Sequence, residues 1–343
     1  MLTTTQILDH IVTQVQSLLA QGQIPPWQRP WTPSPNHRGA AWNPITQKAY
    51  RGMNVVILST EAMIRGYSDP RWMGYQQAAK EGWQVRKGET GTTIYHPVSI
   101  RARAKKSEDG VSSASSDTSD ESAESPTKTF LMFKAFRVFN AAQMDNVPSL
   151  DAGSEEESPP PRIPQATLID ALAQVMNVPV QDSHDGRAYY VPAADRIAMP
   201  PRNDFASPAD YESVRLHELG HATGHASRLA RDLSGSFGSA KYAAEEITAE
   251  LASYLASLEW GIATTGVNPD VPADQHAVYM AGWAKALKEG DQEAFRKAID
   301  NGLKAMRYLS QMHDLAVTQG LIPGEDEEMS APEEESGMVC SAS

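Results

Sequence analysis

The sequence predicts an α+β protein: a mixed α/β front part joined by a disordered linker to a mostly helical rear part with a small sheet. Three observations carry this. Apolar residues recur at helical spacing in some stretches and as short strand-like runs in others. Three further segments are too polar and acidic to offset the entropy of ordering them. The charge is also partitioned: of a net −13, residues 1–106 hold 13 Lys and Arg against 5 Asp and Glu, about +8, which leaves about −21 for the remainder. The resulting division is a front domain at 1–148 with a disordered acidic insert at 107–127, a linker at 149–164, a rear domain at 165–323 and a disordered acidic tail at 324–343.

The front domain opens with a helix, because Ile7, Ile11, Val15, Leu18 and Leu19 form one stripe that ends near Gly22. After it the chain turns aromatic and basic. Trp27, Arg29, Trp31, His37, Arg38, Trp42, Tyr50, Arg51, Arg71, Trp72 and Tyr75 interleave rings with cations, the composition expected where bases stack and phosphates are neutralised. The same rings are equally suited to core packing. The run from Gly82 to Thr93 reads as a strand, a basic glycine turn carrying Arg86 and Lys87, and another strand; such a turn can approach a nucleic-acid backbone closely. Ile94–Ile100 and Phe130–Phe139 read as strands of one hairpin, interrupted by the insert.

In the rear domain, Ile197-Ala198-Met199-Pro200 reads as a short strand stopped by Pro200 and Pro201, placed here as an edge strand along which a peptide could align. The most informative stretch follows: His217-Glu218-Leu219-Gly220-His221. A four-residue step brings His221 over the face of His217, roughly 6 Å along the axis, so one ion can reach both rings. Neutral imidazole suits Zn²⁺, with another divalent metal as the alternative, and Glu218 is placed to act as general base toward water. A catalytic zinc needs a third protein ligand and an open position. Downstream, Ile247, Leu251, Tyr254, Leu255 and Leu258 mark a second amphipathic helix, on which Glu246 and Glu250 share a face.

That arrangement resembles the gluzincin plan, which makes Glu246 the ligand and Glu250 the carboxylate that hydrogen-bonds a ligand histidine from behind; Glu245 or Glu250 as ligand stay open. The metzincin plan fits less well, since its third histidine would fall at position 227, which is Ser227; His225 is then a surface or supporting residue. His276 and Tyr279, on a later helix with Trp283, are candidates to donate to a tetrahedral intermediate. The one cysteine, Cys340, excludes an intramolecular disulfide framework and fits a reducing compartment. No apolar run suggests a membrane span and Met1–Ala20 has no basic leader pattern, so a soluble, cytoplasmic protein with no membrane partner is expected.

A family resemblance is carried by Pro26-Trp27-Gln28-Arg29-Pro30-Trp31, Asn43-Pro44, Tyr50-Arg51-Gly52-Met53-Asn54, Arg71-Trp72, Val85-Arg86-Lys87-Gly88-Glu89-Thr90-Gly91-Thr92 and Val138-Phe139-Asn140-Ala141-Ala142-Gln143. These resemble the N-terminal domain of ArdC-type antirestriction proteins, a domain also found in TraC-type primases. The rear half resembles the same family's zincin-like metallopeptidase domain through Asp195-Arg196-Ile197-Ala198-Met199-Pro200, the histidine helix with Thr223-Gly224-His225, Arg228-Leu229, Tyr242-Ala243-Ala244-Glu245-Glu246, and His276 to Leu287. One departure is Ala222, where a tryptophan often follows the second histidine.

The resemblance implies a protein of a plasmid or other mobile element that protects incoming DNA from host restriction. Its front domain would bind single-stranded DNA, for which the expected contacts are Trp27, Arg29, Trp31, Arg38, Tyr50, Arg51, Asn54, Arg71, Trp72, Arg86 and Lys87. Two function classes compete: a DNA binder that shields sterically, and a zinc metalloprotease that cuts a host protein and uses DNA binding for delivery. Primase activity is disfavoured, because no acidic polymerase cluster stands in a strand context.

Overall fold

A computed structural model describes residues 1–29, 41–102, 128–150, 163–236, 239–262 and 292–324. The insert at 107–127, nearly all of the linker and the tail lie outside them. So do Trp31, Arg38, His276 and Tyr279.

The front half starts with α1 (Thr4–Ala20), whose first turn is closed by a capping box: Thr3 Oγ1 accepts from the Gln6 N–H and Gln6 Oε1 accepts from the Thr3 N–H. Its predicted stripe is the buried face, with Ile7, Ile11, Val15 and Leu18 all at 0% exposure. Burial of each such side chain contributes about 1.5–3 kcal/mol before entropy is counted. A small ribbon of β1 (Trp42–Asn43) and β2 (Lys48–Ala49) leads into α2 (Met53–Arg65), which ends at left-handed Gly66. Then come β3 (Trp72–Met73), α3 (Tyr75–Lys80) and β4 (Gln84–Val85).

The predicted hairpin is present as β5 (Thr92–Ala102) and β6 (Lys128–Asn140), antiparallel from Thr92↔Val138 to Ala102↔Lys128. β3 adds to the far side of β6, giving the order β3-β6-β5. The Gly82–Thr93 run has the expected order of strand, glycine turn and strand. β4 pairs with β7 (Met144–Asp145) rather than with β5, and the Arg86 N–H and guanidinium reach the Gln143 and Met144 carbonyls beyond β6.

The rear half contains α4 (Gln165–Val175), β8 (Val180–Asp182), β9 (Tyr189–Val191), β10 (Arg196–Met199), α5 (Pro208–Ala222), α6 (Ala240–Trp260) and α7 (Gln292–Thr318). α5 begins where Ser207 Oγ accepts from the Asp210 N–H, with Pro208 at its first position; α6 begins under Ser239 and stops at left-handed Gly261. α4, α5, α6 and α7 pack successively on one another. The expected edge strand is corrected: β10 is central, parallel to β8 on one side and antiparallel to β9 on the other. Pro200 and Pro201 end the strand without emptying its flank. Among the described residues, β9 forms the edge of this sheet nearest α5.

The two halves do not hold two separate main cores. One apolar cluster runs from Ile7, Ile11, Trp27 and Val56 of the front into Leu172, Leu219, Leu251, Phe295 and Leu309 of the rear. Two smaller clusters, around Trp72 and around Met73, belong to the front half alone. The main seam also has polar ties: Asp9 of α1 pairs with Arg296 of α7 at 2.6 Å, and Gln28 Nε2 donates to Glu250 Oε2 at 2.9 Å. Among the described residues, no helix is long and apolar enough to cross a membrane.

Candidate metal centre

The histidine motif lies in the last turns of α5, buried between β9 and α6. The approach of α6 depends on Gly220: a Cβ there would stand 3.1 Å from the Ala249 carbonyl oxygen and 3.2 Å from the Ala249 Cα. The bare backbone lets α6 lie close enough for short carboxylates to reach the imidazoles.

The convergence is tight. His217 Nε2 and His221 Nε2 are 3.1 Å apart, and the Glu246 carboxylate lies 3.5 Å from each. The three residues form a possible metal-holding group whose ligand atoms all fall within 4.8 Å of one another. Ligands on 2.0–2.1 Å bonds at tetrahedral angles stand about 3.3 Å apart, so these spacings match such a centre, and two imidazoles with one carboxylate are a known catalytic zinc set. The electrostatics agree. Burial opposes charge on His221, yet Glu246 and then Glu245 outweigh it and push its pKa up to about 9. Burial likewise works against the Glu246 carboxylate, but the charge of the histidines and hydrogen bonds from His217 and the Tyr242 phenol hold it down to about 2. Glu218 is 2% exposed; burial raises its pKa, against the pull of the two histidines and a hydrogen bond from the Tyr190 backbone N–H.

The supporting carboxylate is Glu245, not Glu250. Glu245 Oε1 meets His221 Nδ1 at 3.2 Å, and both Glu245 oxygens accept from Arg231, at 2.6 and 2.9 Å. The same guanidinium donates to Thr223 Oγ1 and to the Gly220 carbonyl, tying off the end of α5. Gly224 leaves room for it, since a Cβ there would stand 2.9 Å from the Arg231 Cζ. Glu250, one turn beyond Glu246, faces Gln28 of the front half, and burial raises its pKa to about 7 against that hydrogen bond.

Asp195 explains another part of the motif set. It accepts from Tyr190 Oη at 2.7 Å and from the Arg228 guanidinium, whose Nε donates to the Ala222 carbonyl; the β9–β10 turn is thereby clamped to the end of α5. His225 Nδ1 lies 2.8 Å from Ser227 Oγ and 3.6 Å from Asp195.

Several residues expected to contact DNA have other occupations. Trp27 and Trp72 are 3% and 1% exposed and pack in the core. Arg71 is buried against Asp69, Asn54 exchanges two hydrogen bonds with the Tyr95 backbone, and Tyr50 donates to the Trp72 carbonyl. Arg29, Arg51, Arg86 and Lys87 are exposed. Sequence reasoning missed Tyr242 as a partner of Glu246, although a spacing of one helical turn could have suggested it. Arg231 and Gln28 carried no local signal.

Comparison with known proteins follows the same division. Residues 3–139 match the family model described as the N-terminal domain of anti-restriction factor ArdC, and residues 167–300 match that of a zincin-like metallopeptidase. A metal-free crystal structure of the antirestriction ArdC protein from the R388 plasmid shares 29% identity, covers 90% of this chain and 98% of that one, and superposes with a TM-score of 0.60. Its Mn(II)-bound counterpart gives 30% identity, 89% and 97% coverage, and 0.59. The chain belongs to the ArdC antirestriction family.

Other ArdC-like sequences occur in longer proteins. A DNA primase TraC of Escherichia coli is 36% identical over 300 residues, and a second is 37% identical over 275. The matches take in 86% and 80% of this chain but span only 26% and 18% of those primases. An uncharacterized protein, y4eC, of Sinorhizobium fredii (strain NBRC 101917 / NGR234) is 32% identical over 319 residues, 91% of this chain and 92% of its own length.

Proposed function

We propose that this chain protects DNA from restriction by binding it single-stranded through the front half, and that the rear half is a metal-dependent peptide hydrolase with a separate task. The observation that carries the hydrolytic reading is the convergence of His217, His221 and Glu246, with Glu218 buried beside them. These three residues would hold a divalent ion, Zn²⁺ by the chemistry of the donors; the manganese in the R388 relative supports a divalent site in the family. When bound, the ion supplies a Lewis acid that polarises a carbonyl and eases deprotonation of water.

The chain's own groups do the rest. Glu218 takes the proton from attacking water and delivers it to the leaving amine, a role helped by the burial that raises its proton affinity. Glu245, held by Arg231, fixes the His221 ring and its tautomer. The outer edge of β9, where the Tyr190 N–H meets Glu218, would take an extended peptide as an added strand. The family membership and the TraC relatives support the DNA reading. The R388 plasmid source of the ArdC relative supports reading this chain, too, as a protein of a plasmid or other mobile element.

Glu218→Gln tests the division of labour. The variant should lose peptide hydrolysis yet keep full protection of transferred DNA. Loss of protection, with folding and oligonucleotide binding intact, would assign protection to proteolysis of a host protein instead.

A further inference from the structure

An open groove of about 540 Å³ lies between α3 and the β4–β7 ribbon, outside both the core and the metal centre. That volume falls within the roughly 300–1,000 Å³ typical of small-molecule sites. Its wall is Tyr75, which keeps 51% of its surface in solvent and meets Phe139 edge to face with centroids 6.3 Å apart. Gly91 is bare for Phe139's sake: a Cβ there would stand 2.9 Å from the ring. Arg86 is fixed in the lining, its guanidinium donating to the Met144 and Ala142 carbonyls and pairing with Glu89 and Asp145. Lys87 is exposed at the lip, beside Gly88 in a left-handed turn with φ of +91°.

We propose that this groove is a nucleotide subsite for single-stranded DNA, with one base stacked on Tyr75 and its phosphate at Lys87. The proposal rests on the DNA reading above and names where that contact is made. An exposed ring with an open face is what a base requires, and sequence-tolerant stacking is how single strands are held. Glu89 and Asp145 inside the groove repel a phosphate, which sets the strand's backbone at the cationic lip and the base inward. The more exposed of the two, Asp145, then accepts from an exocyclic amine, so cytosine or adenine suits the groove better than thymine. The charge of about +8 carried by residues 1–106 favours a polyanion over a basic peptide.

The test is fluorescence anisotropy of the full chain with labelled oligo(dC), repeated across a salt series. Tyr75→Ala should weaken binding about tenfold, and Tyr75→Phe should restore it. Lys87→Ala should flatten the slope of log K against log salt by about 0.7, the value for one lost single-strand phosphate contact. Phe136→Ala, half exposed on the hairpin, should change nothing. Unaltered binding by Tyr75→Ala and Lys87→Ala would overturn the subsite while leaving the DNA reading intact. Failure of the unmodified chain to bind any oligonucleotide would overturn both. Free dCMP binding as tightly as the oligonucleotide would make the groove a mononucleotide site and overturn the proposal too.

Discussion

Glu246→Gln is expected to abolish stoichiometric uptake of Zn²⁺ or Mn²⁺, whereas Glu250→Gln leaves it intact. The Glu246 carboxylate stands 3.5 Å from the Nε2 atoms of His217 and His221 and supplies the one formal negative charge in the proposed donor set. A neutral amide removes that charge and leaves two histidines, too few for a stable protein site. Glu250 is occupied with Gln28. Glu245→Gln falls between them: it keeps the three ligands but loosens the His221 ring and loses the carboxylate's pairing with Arg231, a change that costs roughly 10–100-fold in metal affinity. Metal content after dialysis and calorimetric titration give the ranking. A second readout is thermal: an ion at about 100 times its Kd stabilises the folded chain by about 2.7 kcal/mol, so the melting temperature of the unmodified protein rises with metal and that of Glu246→Gln does not. Equal retention by the Glu246 and Glu250 variants would sink the assignment.

Gly220→Val should cost about 3 kcal/mol of stability and the metal site with it. Alanine at this position gains about 1 kcal/mol of helix propensity over glycine. Against that, its Cβ meets the Ala249 backbone at 3.1–3.2 Å, so α6 must withdraw by a few tenths of an ångström. The two terms nearly cancel for Gly220→Ala in stability but not in function, because the withdrawal carries Glu246 and Glu245 away from the imidazoles. Valine adds two methyl groups where backbone already stands, and overpacking of that kind costs typically 1–3 kcal/mol. Melting temperature and metal affinity should therefore part company for the alanine variant and fall together for valine. An alanine variant with unchanged metal affinity would refute this view of the α5–α6 contact.

The pairing of the two histidines on α5 was legible because its information is local: four residues separate them, and helical geometry does the rest. Glu246 was reachable by the same reasoning. The choice between Glu245 and Glu250 as the supporting carboxylate was not, because it is made by Arg231 on one side and by Gln28, 222 residues distant, on the other. The long hairpin was readable from its two apolar runs across the insert. The rank of β10 within its sheet was not, since β8 and β9 are short and carry weak patterns of their own. Tryptophan was ambiguous for a physical reason: the large flat surface that stacks on a base also fills a core, and Trp27 and Trp72 do the latter.

The shared core also bears on how such a protein can be handed on. Because the stripe of α1 is sealed by helices from the far end of the chain, a cut at residue 150 would bare Ile7, Ile11 and Val15 on one fragment and Leu251 and Phe295 on the other. Neither fragment would make a tidy building block. The two halves are also matched together, within about a quarter of a primase several times the chain's length. Recombination can graft such a cassette onto a larger polypeptide wherever a loose joint is available, provided that it moves whole.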